Sequence, residues 1–147
     1  MASLAYNADF YRTLSESFRR LVGRPISHDQ RDARWLYDDA PFAVLAHHGD
    51  DPQFIYANRS AQRCFEYGWD EIVGMRSSLS AEVSERSKRA ALLAAVARDG
   101  YAADYEGIRV SKSGRRFWIE GGIIWNLVEA DGIRAGQAAL FTSWRDA

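Results

Sequence analysis

The stretch that decides the fold is YEGIRVSKSGRRFWIEGGIIWNL, residues 105–127. Large apolar residues alternate with polar or small ones over Tyr105–Val110 and again over Phe117–Trp125, which predicts two strands. Between them, SKSG at 111–114 has the composition of a tight turn. The second strand is apolar on both faces, with Phe117, Ile119 and Ile123 on one face and Trp118 and Ile124 on the other. Because such a strand must be covered on both sides, we expect the rest of the chain to pack on this hairpin.

The first forty residues are predicted to form a helical extension. Segment Ala8–Val22 carries one apolar stripe, made by Phe10, Leu14, Phe18 and Leu21. Asn7 is a favoured N-cap residue, and Gly23 is a favoured residue for ending the helix. A second short helix is predicted over Asp29–Tyr37, and Pro41 prevents its continuation.

Residues 41–147 are predicted to form the main domain, in which two hairpins are separated by helices. The predicted elements are a strand at Phe42–His47, a turn at 48–52, a strand at Gln53–Ala57, helices at Arg59–Glu66, Trp69–Val73 and Ala81–Arg98, an irregular segment at 75–80, the hairpin, and a last strand at Ile133–Trp144. This order predicts an α+β fold with a five-stranded antiparallel sheet and helices on one face.

The segment YANRSAQRCFEYGWDEIVG, residues 56–74, resembles the same region of PAS domains. In that family an Asn or Asp, here Asn58, caps the helix that follows the second strand. A short acidic helix then ends in glycine, here Gly74, and the later hairpin carries a K-x-G-x-x-x-W pattern, here Lys112, Gly114 and Trp118. The resemblance covers residues 41–145 and implies a PAS fold.

A narrower resemblance covers nearly the whole chain. The segments TLSESFRRLVGRP at 13–25, RRFWIE at 115–120 and IIWNL at 123–127 look like the MEKHLA domain family, a PAS-related group. This resemblance implies a sensory or interaction module and no known reaction.

Composition and charge exclude several classes of protein. The net charge is −1, so a nucleic acid or a membrane surface is not an expected partner. No apolar run approaches the length of a membrane span, and the N-terminal residues lack the layout of a signal peptide. We therefore expect a cytoplasmic protein. The single cysteine, Cys64, excludes an intrachain disulfide and a multi-cysteine metal site.

The resemblance to PAS domains argues against two cofactor chemistries. Light-sensing PAS domains of the LOV type carry a reactive cysteine after the acidic helix, and Ser77 occupies that position here, which excludes a cysteinyl–flavin adduct. Haem-binding PAS domains use a histidine on the long helix, and residues 81–98 contain none. The histidines are His28, His47 and His48, and we expect the adjacent pair to be solvated turn residues. Cys64 is expected to be a small buried hydrophobe.

Catalysis has little support, and two other functions stay open. The cysteine has no obvious general base, and no glycine-rich phosphate loop is present, so we do not expect an enzyme. One possibility is a sensory module that binds a small organic ligand of unknown identity between helices and sheet. The other is a dimerisation or protein-interaction module with a filled core. In either case the output is expected to pass through another, unidentified protein.

A ligand site is predicted on the sheet face that the helices cover. With the register of other PAS domains, the residues around it are Cys64, Met75, Leu93, Arg109, Ile119, Gly121 and Ala138. An inward Arg109 would need an anionic ligand or an internal carboxylate. The alternative is that Arg109 lies on the surface, since a one-residue change of register reverses every facing.

Aromatic residues on the last strands predict a covered outer sheet face. Trp118 and Phe141 are expected there, beneath the stripe of Phe10, Leu14, Phe18 and Leu21. The cover comes from the same chain or from a second subunit, and exposed apolar patches of this size favour a homodimer.

Overall fold

The structure, a computed structural model, describes residues 3–27, 30–48, 52–81, 83–132 and 134–147. The described residues form four α-helices, which are α1 (Ala8–Val22), α2 (Arg59–Phe65), α3 (Trp69–Ile72) and α4 (Arg86–Asp99). They also form six strands, which are β1 (Ala43–His48), β2 (Gln53–Ala57), β3 (Tyr101–Val110), β4 (Arg116–Val128), β5 (Arg134–Phe141) and β6 (Ser143–Asp146). Short 3₁₀ turns lie at Leu4–Tyr6, Ser77–Ser80 and Val83–Glu85, and a π-helical turn lies at Trp35–Asp39. The predicted α+β class is confirmed.

All the strands belong to one antiparallel sheet with the order β2-β1-β5-β4-β3. The hairpin of β3 and β4 is present and longer than predicted, and its turn is closed by the bond from the Gly114 nitrogen to the Ser111 oxygen (2.9 Å). Residues 49–51 of the predicted turn at 48–52 lie outside the described residues, as do His28, Asp29 and Ile133.

Strands β5 and β6 are the two halves of one bent strand. Both pair with β4 in the same register, with Ile123 opposite Leu140 and Ile119 opposite Trp144. The bend falls at Thr142, near Gly121, whose φ of 62° is in the region that favours glycine. The sheet therefore keeps the predicted five-strand layout, with its last strand interrupted.

This bend changes which side chains face each side of the sheet. Two buried clusters result. The inner core, beneath α2 and α3, includes Leu45, Phe54, Cys64, Phe65, Phe117, Ile119 and Phe141. The outer core, beneath α1, includes Leu14, Phe18, Val44, Ile123, Trp125, Leu127, Ala138 and Leu140. The predicted positions of Ile123 beside Ile119, of Ala138 facing inward and of Phe141 facing outward were wrong, because they assumed uninterrupted alternation across Gly121.

Helix α1 covers the outer face of the sheet within the same chain. Its bounds are those predicted, with the Asn7 side chain accepting from the Phe10 nitrogen (2.8 Å) and Gly23 at the C-terminal cap. Leu14 and Phe18 are fully buried, and the Phe18 ring meets the Trp125 ring at a centroid distance of 4.8 Å. Phe10 and Leu21 pack at the margin of the outer core. The apolar stripe is therefore held against β4.

Two helices differ from the sequence prediction. The second helix is reduced to the turn Trp35–Asp39, which begins after Asp32 caps the Trp35 nitrogen (2.9 Å). The long helix α4 begins at Arg86 and not at Ala81, because the Ala81 backbone pairs with Arg109. None of the helices in the described part of the chain is long and apolar enough to cross a membrane.

Candidate functional site

An enclosed cavity lies between α4 and the inner face of the sheet. Its volume is about 20 Å³, which is room for about one water molecule. Residues of β1 to β5 and of α4 line it, and these are Leu45, His47, Phe54, Arg89, Leu93, Tyr105, Arg109, Ile119, Gly122, Ile123, Ile124, Ala139, Leu140 and Phe141. The lining is apolar except for two arginines, a histidine and a tyrosine.

Arg109 faces inward from β3 and is 5% exposed. Its Nε donates to the Ser80 carbonyl oxygen (3.0 Å), and a terminal nitrogen donates to the Ser77 carbonyl (3.4 Å) and to the Ser80 hydroxyl. The guanidinium also lies over the Phe65 ring, 5.3 Å from its centroid. Burial lowers the pKa of Arg109. The side chain is thus held by neutral acceptors in the interior.

Arg89 brings a second guanidinium to the same place from α4. One terminal nitrogen donates to the Ser77 hydroxyl (3.2 Å). Burial, and next the charge of Arg109, lower the pKa of Arg89. Among the described residues no carboxylate lies within salt-bridge distance of either arginine. No carboxylate of the described residues therefore pairs with the positive charge at the cavity.

His47 is the third basic group at the cavity, and its predicted solvation was wrong. It is buried because it lies on the inner face of β1, on the same side as Leu45, whereas His48 is exposed at the strand end. Burial, followed by the charges of Arg89 and Arg109, lowers the pKa of His47 to about 3. The imidazole is therefore neutral at physiological pH.

Tyr105 forms the wall on the β3 side. Its ring packs against two glycines, and a Cβ at Gly107 would lie 2.6 Å from the Tyr105 hydroxyl oxygen, while one at Gly122 would lie 3.1 Å from its Cδ2. Beyond Tyr105 an open cleft of about 550 Å³ lies between α4 and β3. Tyr105 and Arg89 line both spaces, so they separate the cleft from the enclosed cavity.

The structure brings together part of the predicted ligand site. Leu93, Arg109 and Ile119 line the cavity. At the other strand positions the lining residues are Gly122 and Ala139, each one residue beyond the predicted Gly121 and Ala138, because of the bend described above. Arg109 faces the interior and not the surface, and these were the two alternatives that the sequence left open.

Cys64 and Met75 do not line the enclosed cavity. Cys64 is buried in the inner core, where burial raises the pKa of its thiol to about 12. Met75 packs at the edge of the same core, and its carbonyl accepts from the Phe54 nitrogen (2.9 Å). Both residues support the walls of the site without facing its space.

Sequence reasoning missed Arg89 and His47 as residues that line this cavity. Arg89 had a usable signal, since it precedes Leu93 by four residues and therefore shares its helix face. His47 follows Leu45 by two residues and therefore shares its strand face.

Ser77, at the position of the LOV cysteine, lies at the margin of the site. It is fully buried, its hydroxyl accepts from Arg89, and its carbonyl accepts from Arg109. Its role in this structure is to hold the two arginines. No group of three or more histidine, cysteine or acidic residues that could hold a metal occurs among the described residues.

The comparisons with known proteins agree with this fold. The model of the MEKHLA domain family matches residues 8–146. A PAS domain from Colwellia psychrerythraea is similar with a TM-score of 0.65 and 16% identity, covering 76% of this chain and 90% of that one. A PAS domain from a two-component sensor histidine kinase is similar with a TM-score of 0.59 and 20% identity, covering 77% of this chain and 91% of that one. An RNA-binding light-oxygen-voltage receptor is similar with a TM-score of 0.61 and 21% identity, covering 76% of this chain and 31% of that one. A search of curated proteins finds no match.

Proposed function

This chain belongs to the MEKHLA domain family, and from that premise we propose that it is a cytoplasmic sensory module. A small organic ligand binds between α4 and the sheet, and its binding changes the contacts that the module makes with a partner protein. A ligand at this place would touch several elements at once, so a change in occupancy would alter the position of α4.

The polar lining of an otherwise apolar interior supports this proposal. Arg109, Arg89, His47 and Tyr105 all face one cavity. A core that only stabilised the fold would gain more from apolar side chains here, because buried charges without counter-charges cost free energy. A ligand that contacts these groups would offset that cost.

The test is to look for a bound compound in the purified protein. Protein isolated under mild conditions is denatured, and the released material is examined by absorbance and mass spectrometry. We expect a compound in stoichiometric amount that raises the unfolding midpoint when it is added back. Ala139→Leu, which fills the cavity, should lose the compound, whereas Ala135→Leu, on the same strand and outside the cavity, should keep it.

A ligand-free interaction module is the alternative, and the small enclosed volume favours it. A space of about 20 Å³ is too small for an organic molecule unless a wall moves. If the protein carries no compound and no cellular metabolite fraction raises its unfolding midpoint, the sensory proposal fails and the filled-core module replaces it.

We propose binding and not catalysis at this site. Cys64 lies outside the cavity, and a thiol with a pKa of about 12 supplies almost no thiolate at neutral pH. With Ser77 at the LOV position, we also propose that no cysteinyl–flavin adduct forms. A reversible blue-light bleach that is lost in Cys64→Ala would contradict this.

We further propose that the chain forms a homodimer through the part of the outer sheet face that α1 leaves uncovered. Trp118 is half-buried there, opposite Ile108 on β3, with the Arg145 guanidinium 5.7 Å from its ring centroid. Sedimentation velocity should show a dimer at micromolar concentration, and Trp118→Asp should dissociate it while Glu129→Gln does not. A monomeric wild-type chain would overturn this part.

A further inference from the structure

We infer that the site binds the carboxylate of a small monocarboxylic acid, with Arg109 and Arg89 as its counter-charges and Tyr105 as the residue that moves to admit it. The inference rests on the proposed function, since it names the chemical class of the ligand for the same cavity. It is carried by three features of the described residues, which are the unmatched guanidinium groups, the shared wall and the charge of the cleft mouth.

The unmatched guanidinium groups call for an anion. Among the described residues, Arg109 donates to neutral carbonyl and hydroxyl oxygens and lies over a ring face. Arg89 donates to the Ser77 hydroxyl, and the Tyr105 side chain is a further neutral hydrogen-bond partner of both arginines. Two like charges that share one interior space repel each other, and no carboxylate of the described chain compensates them. A planar carboxylate fits a guanidinium fork through paired charge-assisted hydrogen bonds, as a phosphate also does.

The wall that Tyr105 shares between the two spaces supplies the entrance. The enclosed cavity of about 20 Å³ and the open cleft of about 550 Å³ meet at Tyr105 and Arg89. Movement of the Tyr105 ring off Gly107 and Gly122 joins the two spaces, and the combined volume suits a small molecule. The ligand would place its carboxylate at the arginines and its body in the cleft, against Leu92 and Ile108.

The charge of the cleft mouth selects a single carboxylate over a polyanion. Glu85, Asp104 and Glu106 line the cleft together with Lys88 and Arg89. These three acidic groups disfavour a second negative charge on the part of the ligand that remains in the cleft. Inorganic phosphate and dicarboxylates should therefore bind less well than monocarboxylates.

The test measures binding of shape-matched probes to the full chain. Isothermal titration calorimetry at neutral pH and low salt compares hexanoate, benzoate and 3-phenylpropionate with hexanamide, benzamide and 3-phenylpropanamide, and with inorganic phosphate and succinate. We expect at least one monocarboxylate to bind about tenfold or more tightly than its amide, the scale of one charge-assisted hydrogen bond. Phosphate and succinate should bind more weakly than that monocarboxylate.

Variants test whether the two arginines cause the preference for the carboxylate over the amide. Arg89→Met and Arg109→Met should each remove the preference for the carboxylate over the amide, while Arg98→Met, which removes an exposed arginine of the same helix, keeps it. Arg89 is only half-buried, so Arg89→Met tests the point even where Arg109→Met fails to fold. Tyr105→Ala should speed the exchange of bound ligand measured by NMR, and an unchanged exchange rate would overturn the role given to Tyr105.

The outcomes separate this inference from the proposed function. Amides that bind as tightly as their acids, or a carboxylate preference that survives both arginine variants, would overturn the acid class and leave a neutral ligand for the sensory module. Phosphate binding as tight as the acids would show a general anion site and would also overturn it. If no probe binds, the inference fails, and the proposed function fails with it only when no compound co-purifies either.

Discussion

At the residue scale, the buried side chain of Asn58 makes hydrogen bonds to several segments of the fold. Its Oδ1 accepts from the Ala61 nitrogen (3.1 Å), as the predicted cap of α2, and also from the Val44 nitrogen (3.0 Å). Its Nδ2 donates to the carbonyls of Leu36 (3.0 Å) and Phe42 (2.9 Å). One amide thus joins α2, β1 and the turn before β1 in a region without water access.

Asn58→Ala should therefore cost more than the loss of a helix cap. A lost cap costs about 1 kcal/mol, but here buried backbone groups on three segments lose their partner, and we expect about 3 kcal/mol or more. Urea denaturation of the wild type and of Asn58→Ala measures this loss of stability. A loss of only about 1 kcal/mol in Asn58→Ala would show that the tertiary bonds contribute little.

His47 makes the stability of the fold depend on pH. Its pKa in the folded chain is about 3, whereas an unfolded histidine titrates near 6.5, so between these values the unfolded state binds a proton that the folded state does not. The stability that depends on a neutral His47 is therefore fully present above pH 6.5, and it is lost as the pH falls towards 3. The groups that act on His47 are Arg89, Arg109, Arg134 and His48.

We expect the free energy of unfolding to fall by about 2 kcal/mol between pH 7 and pH 5 because of His47. Chemical denaturation across this range should show a shallower pH dependence in His47→Gln than in the wild type. His48→Gln, at the exposed neighbouring position, should keep the wild-type slope. Equal slopes in all three proteins would mean that His47 is solvated or titrates normally.

At the scale of the element, α1 is held by its apolar stripe and by polar contacts to β4. The Ser17 hydroxyl accepts from the Val128 nitrogen (2.8 Å) and donates to the Val128 carbonyl (3.1 Å). The Trp125 indole nitrogen donates to the Leu14 carbonyl (3.3 Å). A helix of 15 residues is marginal alone in water, so these contacts decide whether it forms.

Leu14→Asp combined with Phe18→Asp should detach α1 and lower the stability of the whole chain. Both side chains are fully buried, and each charge would lie in the outer core without a partner, so we expect a loss of about 4 kcal/mol or more. Circular dichroism during thermal unfolding measures it. The control is Arg12→Gln with Arg20→Gln, on the exposed face of the same helix, which should change the midpoint little. An unaltered midpoint in the Asp variant would mean that α1 is not needed for the fold.

At the scale of the whole molecule, the first forty residues and the sheet share one core. Leu36 and Tyr37, which precede β1, are buried in the outer core together with residues of α1, β1, β4 and β5. The division into an extension at 1–40 and a domain at 41–147 remains a prediction about the chain's organisation. The packing implies that the second part needs the first for its outer face.

A chain shortened to residues 41–147 should aggregate or unfold, because its outer face would expose Trp125, Leu127 and Val44 to water. Size-exclusion chromatography with light scattering measures this. A chain that begins at Leu4, which keeps α1, should behave as the full chain does. A soluble, monomeric and equally stable shortened chain would show that residues 1–40 are an appendage.

The sequence by itself determined the main helices and strands of this protein and their order. The helical period of Phe10, Leu14 and Phe18 and the two-residue period of β3 and β4 are local properties, and the caps at Asn7 and Asn58 mark helix starts wherever the chain lies. These patterns were sufficient for the α+β class, for the bounds of α1 and for the resemblance to PAS domains.

Tertiary structure alone decided which residues meet at the site. The bend at Gly121 and Thr142 shifts the inward positions by one residue, and neither glycine of the pair at 121–122 reveals in sequence which of them takes the positive φ. Arg89 and Arg109 are 20 positions apart in the sequence, and they share one cavity only because α4 packs across β3 and β4. The side of the sheet that a residue faces depends on strand register, and a single-residue change in register reverses it without any change in the local pattern. Proximity between residues far apart in the sequence depends on packing.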